Sequence, residues 1–331
     1  MHQHQRWRAR VAGFLLAGSA QATHAAQPAT GCADLRPAIR AAAGVLARRY
    51  VIPEDGRDGA DALLDGARRG RDARVCGGAE AQAARLTQRL RAAVPDWHLR
   101  VAPGVPPPKS PPADVPAGLD ADADDHGIVE VSRLAGGIGY LRLAQFDDVR
   151  TTEPRLAHAM ALLAGVRGVI LDVRGNRGGD GATMDLVLRS FLPADAPATL
   201  LTLDRSGAVV ARPALDPRWA RFAPATPVVV LVDRASASAA EALAFGLREE
   251  GRATVVGERS LGAAHVVDDA VGLPGDFALF IPEFRVVGRK TRRDWERGGV
   301  VPDVEAHGAD ALLLAWEQLR ARGRTTHDVA R

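Results

Sequence analysis

The run Val228-Val229-Val230-Leu231-Val232 constrains this chain more than any other segment, because five consecutive aliphatic residues offer no polar side chain to solvent. A run of that length and β-branched content is expected as a strand covered on both faces. Comparable runs stand at 138–143, 169–173, 254–256 and 278–281, with helical stretches such as 154–164 and 239–250 between them. Buried strands alternating with crossover helices predict a layered α/β domain.

Upstream the pattern changes. From residue 35 to 91 the chain is rich in Ala, Leu and Arg, and Ile39, Val45, Leu46, Tyr50, Leu63 and Ala67 follow a spacing of three or four. That period predicts a small bundle of amphipathic helices. Residues 103–112, Pro-Gly-Val-Pro-Pro-Pro-Lys-Ser-Pro-Pro, can neither continue a helix nor join a central strand. The acidic stretch 120–125 extends this segment as a solvated loop. The expected division is a leader at 1–22, a helical domain at 23–101, a linker at 102–126 and an α/β domain at 127–331.

The leader is read from Arg6, Arg8 and Arg10, the apolar run 11–20 and the small-residue site Ala20-Gln21-Ala22, which together form a secretory signal peptide. The apolar run is too short to span a bilayer, so cleavage and export to a periplasmic or extracellular space are expected, with no stable membrane insertion afterwards. Without those 22 residues the chain carries 40 Lys and Arg against 40 Asp and Glu, spread along its length. That balance speaks against nucleic acid as a partner. Cys32 and Cys76 are the two cysteines of the chain, and an even pair in an oxidising compartment is expected to form a disulfide.

Two strand ends carry chemistry. In Val232-Asp233-Arg234-Ala235-Ser236-Ala237-Ser238-Ala239-Ala240-Glu241 a buried strand turns into a helix, placing Ser238 beside backbone N–H groups that lack intrahelical partners. Ser238 with Glu241 three residues later is also the pattern of a capping box. Ser236 precedes the helix start and is assigned to the turn. In Leu171-Asp172-Val173-Arg174-Gly175-Asn176-Arg177-Gly178-Gly179 a second strand enters a turn whose paired glycines allow close approach of the backbone to a ligand. The Gly-Lys-Ser/Thr ending of a phosphate loop is absent.

Together these segments resemble the C-terminal processing, or tail-specific, peptidase superfamily. The likeness runs from Gly139 to Val304 and includes Gly139-Tyr140-Leu141-Arg142-Leu143, the Gly-Gly turn, Ser-Ala-x-Glu, Arg252-Ala253-Thr254-Val255-Val256-Gly257-Glu258 and Gly298-Gly299-Val300-Val301-Pro302-Asp303. It implies a crotonase/ClpP-like layered α/β domain behind the helical bundle, and a serine peptidase with Ser238 as nucleophile. The tail-specific enzymes carry a Lys base in a Gly-Glu-x-Thr-x-Gly-Lys pattern. Here the same stretch reads Gly257-Glu258-Arg259-Ser260-Leu261-Gly262-Ala263, so a Ser–Lys dyad is excluded at that position.

The surroundings resemble instead the branch that includes the tricorn core peptidase and the retinoid-binding modules. Gly262-Ala263-Ala264-His265, Asp294-Trp295-Glu296-Arg297-Gly298-Gly299-Val300 and Asp96-Trp97-His98-Leu99 carry that likeness. It implies His98 as general base and Glu296 as supporting carboxylate, with Gly178 or Gly179 and Ala239 supplying the oxyanion N–H groups. His265 is the alternative base. The expected partner is a peptide or protein substrate, with neither a metal nor another cofactor. A non-catalytic module binding a peptide or small apolar ligand is the competing reading, and a hydrolase of non-peptide esters is a third. The sequence fixes no oligomeric state.

Overall fold

A computed structural model of the chain describes residues 31–104, 126–211 and 215–328. The expected signal peptide and most of the Pro-rich segment lie outside the described residues.

The helical segment opens with β1 (Cys32–Ala33), α1 (Arg36–Arg49) and α2 (Pro53–Arg68), followed by β2 (Val75–Cys76), α3 (Ala79–Ala93) and β3 (Arg100–Pro103). Both α1 and α2 carry Pro in the first turn, where its missing N–H has no intrahelical acceptor to lose. The buried face of α1, Ala38, Ile39, Ala42, Ala43, Val45 and Leu46, follows the spacing expected from the sequence. Cys32 lies opposite Cys76 in the β1–β2 register, and the two are joined as a disulfide.

The second part contains β4 (Ile128–Leu134), β5 (Ile138–Leu143), α4 (Val149–Leu162), β6 (Gly168–Asp172), α5 (Gly181–Arg189), β7 (Leu200–Leu203) and β8 (Val209–Val210). It continues through β9 (Val228–Val232), α6 (Ala239–Glu249), β10 (Ala253–Gly257), β11 (His265–Leu273), β12 (Phe277–Gly288), β13 (Val304–Glu305) and α7 (Gly308–Asp328). One six-stranded sheet has the order β13-β10-β9-β6-β5-β4 and is parallel except for the β4–β5 hairpin. Val228, Val230 and Val232 share a core with α4, α5 and α6, whereas Val229 and Leu231 share another with Ala311, Ala315 and Leu319 of α7. Both faces are covered, which accounts for the unbroken aliphatic runs.

The run at 278–281 belongs to a different layer. It is part of β12, which pairs antiparallel with β11, β7 and β3 in a second sheet. Leu273, Phe277, Leu279 and Ile281 of the β11–β12 hairpin pack into the same core as Leu46, Leu63 and Leu90 of the helices. The strand Arg100–Pro103 therefore crosses the expected boundary between helical domain and linker, since its ladder with β12 and the burial of Val101 fasten it to both parts. The consequence is positional: the segment just before β3 is anchored against the α/β domain.

Candidate active site

The parallel strands β6 and β9 end side by side, and the turns that follow them are knitted together. Asp233 Oδ1 accepts the N–H groups of Gly175 at 3.0 Å, Ala235 at 3.0 Å and Ser236 at 2.9 Å. Ser236 Oγ donates to the Val173 carbonyl at 2.8 Å, which keeps that hydroxyl in the turn. The Ala237 N–H donates to the Asn176 carbonyl at 2.9 Å, and the Asn176 side chain is itself buried and donates to the Leu143 carbonyl at 3.0 Å.

On this base Ser238 is held at φ 54° and ψ −117°, a left-handed backbone region in which a non-glycine residue costs about 1–3 kcal/mol. Its N–H donates to Glu241 Oε2 at 2.9 Å, so the helix start is capped by the Glu carboxylate. With the Ser238 side chain facing the Glu241 backbone this completes the capping box, and the Ser238 hydroxyl also lies 3.3 Å from His98 Nε2.

Glu241 does more than cap. Fully buried, it also accepts from Ser260 Oγ at 2.5 Å and from the N–H groups of Gly262 at 2.7 Å and Ala263 at 2.9 Å. Burial raises its carboxyl above the ordinary range against the opposing pull of these donors. The stretch that lacks the Lys is thus tied by its backbone to the helix carrying Ser238.

Of the three expected oxyanion donors, Gly178 is already engaged, because Asn176 Oδ1 reaches forward to its N–H at 2.7 Å. The N–H groups of Gly179 and Ala239 meet no acceptor among the described residues. A Cβ on Gly178 would stand 2.7 Å from Ser238 Cβ and 3.0 Å from the Ala239 nitrogen, so this glycine lies directly against the serine.

His98 sits between α3 and β3. Arg91 brackets the segment by donating to the carbonyls of Leu99 at 2.8 Å and Trp97 at 2.5 Å. The carboxylate facing His98 is that of Asp96: Oδ1 accepts the His98 backbone N–H at 2.8 Å and lies 3.8 Å from ring Nδ1. Burial lowers the His98 pKa, with Asp96 opposing and the charges of His265, Arg91 and Arg100 reinforcing the shift.

Glu296, expected beside His98, lies one layer further away. Its Oε2 accepts the Ala264 N–H at 2.7 Å and the His265 N–H at 3.3 Å, and stands 3.8 Å from His265 Nδ1. The reason is local: Glu296 follows Trp295, whose buried indole donates to the Ala263 carbonyl at 3.2 Å and anchors this turn to the start of β11. Burial pushes the Glu296 carboxyl up to about 7.

His265 makes no hydrogen bond with Ser238 among the described residues; its Nδ1 is 2.7 Å from Asp96 Oδ2. Tyr50 donates its hydroxyl to the same oxygen at 2.8 Å. Asp96, His265 and Glu296 present one ligand-type atom each within 4.8 Å. Asp96 and His265 are engaged directly with each other, however, and Tyr50 and the His98 N–H add two further donors to Asp96. That is the pattern of a proton-bearing network.

Asp96, Tyr50 and Asn176 are the site residues that the sequence reading did not single out. The Asp-x-His spacing at 96–98 is the signal that points to Asp96. Tyr50 carries none, since its place in the apolar repeat of α1 gives no hint of its hydroxyl.

The sequence model of peptidase family S41 matches residues 137–306, just over half of the chain. Ser238, Gly178, Gly179, His265 and Glu296 fall inside this match; Asp96 and His98 fall outside it. The carboxyl-terminal-processing protease of Synechocystis sp. is 37% identical over 179 residues, covering 52% of this chain and 38% of that protein. The chloroplastic C-terminal processing peptidase of Tetradesmus obliquus is 34% identical over 174 residues, covering 51% and 35%. The chain thus spans less than two fifths of the length of either relative. A lipoprotein from Streptococcus agalactiae is similar in fold across 87% of this chain and 97% of its own, with a TM-score of 0.59 at 16% identity.

Proposed function

This chain belongs to peptidase family S41, and on that premise we propose that it is a serine-type peptidase with Ser238 as nucleophile and His98 as general base. The observation that carries the reading is the 3.3 Å approach of His98 Nε2 to Ser238 Oγ, with the serine held at positive φ beside the Gly178-Gly179 turn.

In this reading neutral His98 accepts the Ser238 proton at Nε2 as Oγ attacks a peptide carbonyl. The burial that lowers its pKa keeps it unprotonated near neutrality. The N–H groups of Gly179 and Ala239, which have no acceptor among the described residues, receive the negative charge developing on the carbonyl oxygen. The imidazolium, stabilised by the Asp96 carboxylate, then returns its proton to the leaving amine. An acyl-enzyme on Ser238 remains, and water activated by His98 releases it.

The missing Lys favours a non-catalytic module only if both histidines lie far from Ser238, and the His98 contact weighs against that reading. Export to an oxidising compartment completes the reading, supported by the Cys32–Cys76 bridge. Incubating the purified protein with an unfolded protein substrate and identifying new termini by mass spectrometry tests the activity. New termini are expected with the wild type and not with Ser238→Ala; cleavage that persists in the variant sinks the proposal.

A further inference from the structure

His265 takes no part in the proton transfers just described, yet it is buried, 4% exposed at the first position of β11. Its nearest partner is Asp96, which lies between two imidazoles and directs a different oxygen to each. Oδ1 accepts the His98 backbone N–H and faces ring Nδ1, while Oδ2 takes the contact with His265 Nδ1 and the Tyr50 hydroxyl. Behind His265, Glu296 Oε2 stands 3.8 Å from Nδ1 and is fixed by two backbone N–H groups.

A carboxylate can turn about its Cβ–Cγ bond, and because its two oxygens are equivalent only one orientation of its plane directs one oxygen to His98 and the other to His265. The two donors on Oδ2 come from elements distant in sequence, Tyr50 at the end of α1 and His265 on β11. Together with the His98 backbone N–H they account for both oxygens. Resting on the reading of His98 as base, we propose that His265 is a positioning residue: by donating its Nδ1 proton to Asp96 Oδ2 it keeps the Asp96 carboxylate turned toward the imidazole that serves Ser238.

The charges around the pair add a second signature. His265 is faced by Asp96, Glu296, Asp294 and the Tyr50 hydroxyl, and His98 by Asp96, His265, Arg91 and Arg100. Burial opposes protonation of His265, but the Asp96 hydrogen bond and the nearby carboxylates outweigh it and raise its pKa. His265 is therefore a cation while His98 titrates, and its charge is one reason His98 is hard to protonate.

The test is the pH dependence of the rate at which a fluorophosphonate labels Ser238, measured on full-length variants with unchanged thermal unfolding. His265→Asn keeps an N–H near the former Nδ1 but carries no charge. Its plateau rate should stay within about threefold of wild type, and its acid limb should move to higher pH as His98 becomes easier to protonate. His265→Ala should show the same displacement with a plateau lower by about tenfold or more. Tyr50→Phe, which removes the other donor on Oδ2, should lower the plateau and leave the acid limb in place, so the clamp remains testable if His265→Ala fails to fold. A folded His265→Asn that does not label overturns the proposal in favour of His265 as base. An unmoved acid limb in that variant overturns it in favour of a purely structural role. Labelling that persists in Ser238→Ala removes the underlying reading instead, so the two failures are distinguishable.

Discussion

His98 Nε2 and Ser238 Oγ lie 3.3 Å apart although 140 residues separate them in sequence. The contact exists because β3 leaves the helical segment two residues after His98 and joins β12 in a ladder from Arg100 to Pro103. The helices contribute a shared core with the β11–β12 hairpin, and Arg297 ties the same region together by donating to the Pro95 carbonyl and to Asp55. Anything that loosens this docking should separate the pair before it unfolds the α/β domain.

The Gly-Gly turn offers a local test. Gly178 has φ 99° and Gly179 φ 132°, both in the region that favours glycine. Gly178→Ala brings a methyl group against Ser238 and should abolish most labelling of the serine while the fold persists. Gly179→Ala drives its methyl into the Phe146 carbonyl oxygen, a backbone atom that cannot swing aside, and should cost about 2–4 kcal/mol of stability. Thermal unfolding and labelling of the two variants separate the effects; equal loss of stability in both would contradict this division.

Glu296 makes stability depend on pH. Its carboxyl is held at about 7 in the folded protein against an ordinary 4.5, so the folded state binds the proton more tightly. Stability should fall as pH rises from about 4.5 through 7, and His265 adds to the trend, since its raised folded pKa makes a contribution that is full below 6.5 and lost as pH climbs through the folded value. Urea unfolding at pH 5 and pH 8 should differ by about 2 kcal/mol more in the wild type than in Glu296→Gln. Equal pH dependence in the two proteins would count against the burial of this carboxylate.

Cys32 and Cys76 close a loop across a separation of 44 residues. Alkylation without reductant should leave both unmodified in protein recovered from an oxidising compartment. The Cys32→Ser/Cys76→Ser protein should lose about 3–4 kcal/mol of stability by the chain-entropy estimate. Because β1 precedes α1 and β2 precedes α3, each with at least one helix between it and His98 in the chain, serine labelling should survive wherever the variant remains folded.

The aliphatic run 228–232 exposed the parallel sheet because a strand buried on both faces has no place for a polar residue, and it coincides with β9; 138–143 coincides with β5, whose Arg142 is exposed. The β11–β12 hairpin was far less legible: His265-Val266-Val267-Asp268-Asp269-Ala270-Val271 mixes polar and apolar residues, and the register shifts twice along it. A strand covered unevenly leaves no clean alternation. The turn glycines and Ser238 were visible as local patterns, whereas the grouping of Tyr50, Asp96 and His265 depends on how the helical segment docks. No spacing along the chain encodes that. Glu296 shows the limit of pattern alone, for its turn is fixed by Trp295 packing against Phe245, with ring centres 4.9 Å apart, and this sets the carboxylate against His265.

If His98 activates Ser238, the rate of fluorophosphonate labelling at pH 7.5, about neutral on the scale of histidine chemistry, measures that role without knowledge of the natural substrate. Ser238→Ala should not label, and His98→Ala should label at least about a hundredfold more slowly than wild type with unchanged thermal unfolding. In peptide hydrolysis the Ser238→Ala/His98→Ala protein should be little worse than either single variant, because the two act as one unit. Labelling of folded His98→Ala at the wild-type rate would contradict the assignment of the base, and labelling of Ser238→Ala at its former rate would contradict that of the nucleophile.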